Sequence, residues 1–312
     1  MNFQQLEYIV AVDTYRHFAT AAEKCFVTQP TLSMMIHKLE EELGAKIFDR
    51  SKQPVVTTEL GKPIVEQARV ILKETAVLKE LVIEQKGSVS GELKVGIIPT
   101  LAPYLLPLFI KSFLSKYPLV RLVITEVRTE TIVEQLKSGI LDVGILVTPL
   151  ADTHLTEIPL FYEEFVVYAA KEEPVWNKQY VLAEDIDVRH LWLMEEGHCM
   201  RSQILNLCEL RKQAAEHDNF HYEAGSIETL IKMVEANAGV TILPELAMGD
   251  LSAKQQKMVR FFANPAPVRE VSLVIHRHYV KRRLVEALKE EILRLIPAKM
   301  KETREREIVK IG

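Results

Sequence analysis

The chain has 312 residues, 48% hydrophobic and 26% charged, enough for about two domains with sizeable cores. Lys and Arg number 39 against 43 Asp and Glu, so bulk charge excludes a generally basic nucleic-acid coat, and any DNA contact must rest on a local patch. Three cysteines, Cys25, Cys199 and Cys208, exclude a disulfide framework.

The N-terminus lacks a basic region followed by an apolar run, and no apolar stretch is long enough to span a bilayer. A cytoplasmic protein without membrane contact is expected. Cys and His do not occur at zinc spacing, and no metal or cofactor is expected.

In chain order, residues 3–12 place Phe3, Leu6, Ile9 and Val10 on one helical face. A second short helix follows at 19–25. Thr28 then caps a third helix with Pro30 in its first turn, burying Leu32, Ile36, Leu39 and Leu43 before Gly44 ends it. Residues 58–85 read as one long helix with Ile64, Ala68, Ile71, Leu78 and Val82 near a heptad seam. It either packs on its own domain or serves as a dimer-forming linker. Residues 87–91 look like a hinge.

Beyond the hinge, β-rich runs at 93–98, 121–127 and 142–147 alternate with helices near 103–117 and 130–138. A second set of strands falls at 191–194, 221–224, 240–243 and 271–276. This order predicts right-handed βαβ units, a mostly parallel sheet and two α/β lobes with a cleft between them. The charged tail from Lys299 reads as a solvated helix end or a disordered segment.

Two constellations carry chemistry. The outer face of the third helix shows Gln29, Thr31, Ser33, Met34, His37 and Lys38, and short polar side chains at its N-terminus suit phosphates and base edges. Lys46, Arg50 and Lys52 follow as a possible basic wing. A generic three-helix bundle with a polar surface has the same spacing. Further on, Gly197 fits a loop and a helix starts near Cys199. A thiol there, beside His198 and Arg201, has reasons for a lowered pKa. Cys199 and Cys208 are nine positions apart, ~13 Å along a continuous helix. They join only if that segment melts or refolds. Alternatively, Cys208 is a core residue and Cys199 a loop thiol.

The stretch Phe18-Ala19-Thr20-Ala21-Ala22-Glu23-Lys24-Cys25-Phe26-Val27-Thr28-Gln29-Pro30-Thr31-Leu32-Ser33 closely resembles the helix-turn-helix of the LysR family of transcription regulators. The likeness continues through Ile36-His37-Lys38-Leu39-Glu40-Glu41-Glu42-Leu43-Gly44, Ile47-Phe48-Asp49-Arg50, Thr57-Thr58 and Gly61. Gln53 departs from it, standing where many relatives have a basic residue. The resemblance implies a winged helix-turn-helix at 1–58, a linker and dimerisation helix at 59–86, the hinge at 87–91, a two-lobed α/β effector domain like periplasmic binding proteins at 92–300, and a charged tail at 301–312. It implies DNA contacts from Gln29, Pro30, Thr31, Ser33, His37, Lys38, Arg50 and Lys52. It also implies dimers that pair into tetramers.

Gly197-His198-Cys199-Met200-Arg201 with Cys208 further resembles the hydrogen-peroxide-sensing OxyR subfamily. So do Gly96-Ile97-Ile98-Pro99-Thr100, Pro103-Tyr104-Leu105-Leu106-Pro107, Ser226-Ile227-Glu228-Thr229-Leu230 and Gly239-Val240-Thr241-Ile242-Leu243-Pro244. That likeness implies a peroxide pocket of Thr100, Thr129, His198 and Arg269. Cys199 would be oxidised and Cys208 would resolve it as a disulfide. The refolded segment would reposition the dimer of dimers on double-stranded promoter DNA and alter contact with RNA polymerase. A thiol reductant such as glutaredoxin or thioredoxin would reset it. Read from the residues alone, Thr100 and Thr129 are also candidate helix caps, His198 a polar loop residue, and Arg269 a surface charge ahead of a strand. Ser202 replaces an acidic residue common in relatives. A regulator responding to a small metabolite and, more remotely, a thiol peroxidase are the competing readings; the resemblance favours a regulator, not an enzyme.

Overall fold

A computed structural model describes residues 1–85, 89–195, 199–207, 224–277, 279, 281–301 and 307–309. The chain divides into two units, Met1–Ser88 with His278–Arg282, and Val89–Arg277 with Arg283–Gly312. No helix among the described residues is long and apolar enough to cross a membrane.

In the first unit, helices α1 (Phe3–Tyr15), α2 (Phe18–Lys24) and α3 (Gln29–Leu43) surround a core of Leu6, Ile9, Val12, Ala21, Leu32, Ile36 and Leu39. Asn2 and Gln5 close a reciprocal capping box on α1, each side chain accepting from the other's backbone amide at 2.9 Å. Thr28 caps α3, and Gly44, at φ 62°, ends it in the left-handed conformation that a side chain would strain. Leu43 departs from the expected pattern: the last turn runs past the core and leaves it 41% exposed.

A two-stranded wing follows, β1 (Phe48–Asp49) antiparallel to β2 (Val56–Thr57). Helix α4 (Gly61–Gln85) starts where only glycine fits, because a Cβ on Gly61 would lie 2.2 Å from the Ile47 carbonyl oxygen. Val65 and Ala68 are buried, and Ile64 and Ile71 pack on the same core. The early seam positions of this helix therefore belong to the unit's own interior, whereas Leu78 is exposed. The Val82 side chain lies outside the described residues, as do residue 86 of the expected linker helix and residues 87 and 88 of the expected hinge.

The second unit opens as predicted with β3 (Gly91–Ile97), α5 (Ala102–Lys116), β4 (Val120–Glu126), α6 (Thr129–Ser138) and β5 (Val143–Thr148). Here β3 runs parallel to both β4 and β5. Then come β6 (Leu155–Ala169), β7 (Tyr180–Val181), α7 (Cys199–Leu207), α8 (Ile227–Asn237), β8 (Val240–Pro244), α9 (Ala253–Gln256), β9 (Val259–Phe262) and β10 (Pro267–His276). The chain finishes with α10 (Arg282–Leu295), α11 (Ala298–Lys301) and β11 (Glu307–Ile308). Strand order is β4-β3-β5-β10-β6-β9-β7, with β8 also on β6 and β11 also on β10.

Three expectations change. The sheet is mixed rather than mostly parallel, because β10 returns antiparallel to both β5 and β6. Leu191 and Met194 form only isolated bridges, to Val240 and Ala224, and residues 221–223 lie outside the described residues. The charged tail is not simply a solvated end: Glu307 and Ile308 pair parallel with Pro267 and Val268, and Val309 is buried. Two apolar residues after a charged run are enough to add a strand where β5 has ended.

Candidate functional site

Cys199 is the first residue of α7 and only 7% exposed. Burial pushes its thiol above the ordinary value. The positive charge of Arg269, the Thr129 hydroxyl and the Met200 amide pull it back down, and Glu130 opposes them. Desolvation wins, so the resting thiol is less acidic than an ordinary cysteine, contrary to the expectation from a helix start. The Arg201 guanidinium donates to the Met194 carbonyl at 2.8 Å.

Thr129 is not the cap of α6, a position held by Arg128. Its hydroxyl is buried and closes no hydrogen bond among the described residues. Its place beside the thiol is therefore an approach rather than a closed bond. Thr100 is not a cap either. It lies in the turn between β3 and α5, ahead of the Leu101 cap position, and is buried. Its hydroxyl accepts from Arg269 Nη1 at 3.1 Å, and its carbonyl accepts from Nη2 at 3.2 Å.

Arg269 corrects the sequence reading most. It sits inside β10, not ahead of a strand, and is fully buried rather than a surface charge. In the antiparallel register it stands opposite Glu163 on β6. Nε donates to Glu163 Oε2 at 2.8 Å, and Nη2 lies 2.7 Å from the same oxygen. Glu163 Oε1 in turn accepts the Leu246 amide at 2.8 Å. Burial pushes the Glu163 carboxyl up, and Arg269 pulls it down. Sequence reasoning missed Glu163. The available signal was a carboxylate inside the apolar run Leu160-Phe161-Tyr162-Glu163-Glu164-Phe165-Val166. His198 and Cys208 lie outside the described residues.

The other candidate surface is in the first unit. Gln29, Pro30, Thr31, His37 and Lys38 are exposed on one side of α3, with Ser33 half-buried. Arg50 is less free than the sequence suggests. It donates to Ser33 Oγ at 2.9 Å and to Glu40 Oε2 at 3.2 Å, and it lies 4.9 Å from the Phe18 ring centroid. Glu40 is buried and also accepts the amides of Ile47 at 2.8 Å and Phe48 at 3.3 Å. One carboxylate thus locks the wing to α3. Lys52 reaches Asp49 only at 4.0 Å, and His37 lies 3.3 Å from Glu41.

Residues 3–62 match the bacterial regulatory helix-turn-helix protein, lysR family, and residues 86–296 match the LysR substrate binding domain. A hydrogen peroxide-inducible genes activator of Dickeya chrysanthemi is 38% identical over 88% of this chain and 89% of its own length. The DNA-binding transcriptional dual regulator OxyR of Escherichia coli strain K12 is 37% identical over 94% of this chain and 95% of its own. Among solved structures, a full-length OxyR variant from Pseudomonas aeruginosa superposes with a TM-score of 0.78 at 34% identity, covering 95% of this chain and 99% of that one. With both family regions present and relatives aligned over most of their length, the chain belongs to the LysR family of bacterial regulators and to its OxyR branch.

Proposed function

We propose that this protein is a DNA-binding transcription regulator, not an enzyme, that reads hydrogen peroxide through Cys199. The supporting observation is the buried cluster around the thiol: Arg269 acts on the sulfur electrostatically while fixed to Thr100 and Glu163, and the Thr129 hydroxyl beside it is unsatisfied. A small neutral oxidant can enter such a setting and satisfy a lone hydroxyl, whereas bulky or charged oxidants are excluded by burial. Peroxide would lie among Thr100, Thr129 and Arg269, with His198 completing the set.

The Cys199 thiolate attacks one peroxide oxygen, the O–O bond breaks, and the departing hydroxide takes a proton to become water. Cys199 is left as a sulfenic acid. Cys208 gives up its thiol proton and attacks that sulfur, the S–O bond breaks, the departing hydroxide takes up that proton and leaves as a second water, and a Cys199–Cys208 disulfide remains. Helix α7 is continuous from Cys199 to Leu207, ~12 Å of rise. A disulfide needs Cα atoms within ~7 Å, so the oxidised form requires α7 to unwind. That change of fold is the signal.

The readout is double-stranded promoter DNA, bound through Gln29, Pro30, Thr31, Ser33, His37, Lys38 and Lys52, with Arg50 setting the wing. The working form is a dimer of dimers paired through α4, cytoplasmic, acting with RNA polymerase on oxidative-stress genes. Glutaredoxin or thioredoxin returns two electrons and two protons to reset it. The test is to reduce the protein, add one equivalent of peroxide without oxygen, map the cysteines by mass spectrometry, and footprint promoter DNA with both forms. A rapid Cys199–Cys208 disulfide with Cys25 free and an altered footprint is expected. Two reduced thiols after peroxide would overturn the reading.

A further inference from the structure

Met34 stands on the outer face of α3, and the DNA contacts proposed above give it no task. Its side chain is 52% exposed, whereas its neighbour Met35 packs on the core of the unit. The helical repeat turns it away from the buried Leu32, Ile36 and Leu39 and sets it one turn beyond the exposed Pro30. Pro30 and Met34 form a narrow apolar strip along a shallow depression that Ser33, His37, Lys38 and Arg50 also line. Glu41 closes the far end of this depression, 3.3 Å from His37.

Stable protein docking buries about 800 Å² on each partner, and two apolar side chains in a polar surround fall far short of that. A thioether carries no charge to neutralise a phosphate and no hydrogen-bond donor for a base edge. In the major groove of a duplex, the group that an apolar side chain can read is the C5 methyl of thymine. The polar and cationic neighbours on the same face supply the contacts that seat the helix, which leaves the strip free to choose among bases. We propose that Met34, with Pro30 beside it, reads thymine methyl groups, so that α3 selects A·T pairs where these two side chains meet the groove. The proposal rests on the DNA-binding reading above and adds the chemistry by which one kind of base is recognised.

Full-length protein, reduced and peroxide-treated in parallel, first selects duplexes from a random-sequence pool. In the selected duplex each thymine is then replaced singly by deoxyuridine, which lacks only the methyl, and affinity is read by fluorescence anisotropy. The wild-type protein should lose about fourfold at one or two thymines, the worth of one buried methyl. Met34→Ala should bind the thymine and deoxyuridine forms equally at one of those positions. Its slope of log affinity against log salt should match wild type, because no phosphate contact is removed. Alanine suits an exposed helical position, so the variant should fold. Met34→Gln, of similar length but polar, should lose the same methyl response. No loss at any thymine in the wild type, or an unchanged response in both variants, overturns the assignment. So does a change of oligomeric state in Met34→Ala with the methyl response intact, which would make the residue a protein contact. Failure of the DNA-binding reading is distinguishable: no sequence is enriched from the pool, and both readings fall.

Discussion

The side-chain amide of Gln203 on α7 donates a 2.8 Å hydrogen bond to the carbonyl of Val309, so the helix that begins at Cys199 is tied to the end of the chain. Val309 is anchored on its other side, its amide donating to the Val268 carbonyl at 2.9 Å, next to Arg269. Gln203→Glu would set a buried carboxylate against that carbonyl. Amide exchange at Ile308 and Val309 should then accelerate about tenfold or more, as about 1–3 kcal/mol of local stability is lost. Hydrogen exchange with mass spectrometry reads this directly, and unchanged protection would mean the bond does not hold the strand.

Gly61 carries a steric prediction. An alanine methyl would sit 2.2 Å from the Ile47 carbonyl oxygen, which is backbone and cannot swing away. Gly61→Ala should destabilise the first unit by about 1–3 kcal/mol, seen as a lower melting temperature and weaker DNA binding. A wild-type melting curve would show that α4 can slide relative to the wing.

Basic residues on the proposed DNA face should separate by salt dependence. Lys38 is exposed and makes no ion pair with any described residue at hydrogen-bonding distance, whereas Arg50 is committed to Glu40 and Ser33. Lys38→Ala should reduce the slope of log affinity against log salt by about one phosphate contact. Arg50→Ala should weaken binding with a smaller change in slope, and Arg50→Lys should not restore it, since lysine lacks the planar fork. Equal slopes for the two alanine variants would contradict the structural role of Arg50.

The pH dependence of Cys199 follows from its burial. Its thiolate forms only above the ordinary thiol range, so alkylation in the reduced protein should still be rising with pH where a free thiol has levelled off. Arg269→Gln removes the main charge that favours the thiolate. The midpoint should therefore rise further. Stopped-flow alkylation at several pH values checks both direction and sign.

Local chemistry was readable in the sequence wherever the partners are close along the chain. Thr28, Pro30 and Gly44 bracket α3 by themselves, and the alternation from 93 to 147 shows the first half of the sheet. Cys199 was placed correctly at a helix start. Arg269 was misjudged because its partners, Glu163 and Thr100, are 106 and 169 residues away, and nothing local distinguishes a cross-strand ion pair from a surface charge. The acidity of Cys199 was misjudged for the same reason: helix position is local, but burial is supplied by the whole unit. Strand β11 was hidden because seven charged or polar residues around it outweigh Ile308 and Val309 in composition, although the register of β10 gives those two a place.

The bond between Arg50 and Ser33 has a practical corollary for engineering. Ser33 belongs to α3, the helix proposed to face DNA, and the group orienting it belongs to the wing. Transplanting residues 29–38 alone into another regulator would deliver Ser33 without Arg50, its tether, and without Glu40, which holds that arginine. On the proposed DNA contacts, a swap of binding specificity should carry residues 28–58 as one cassette.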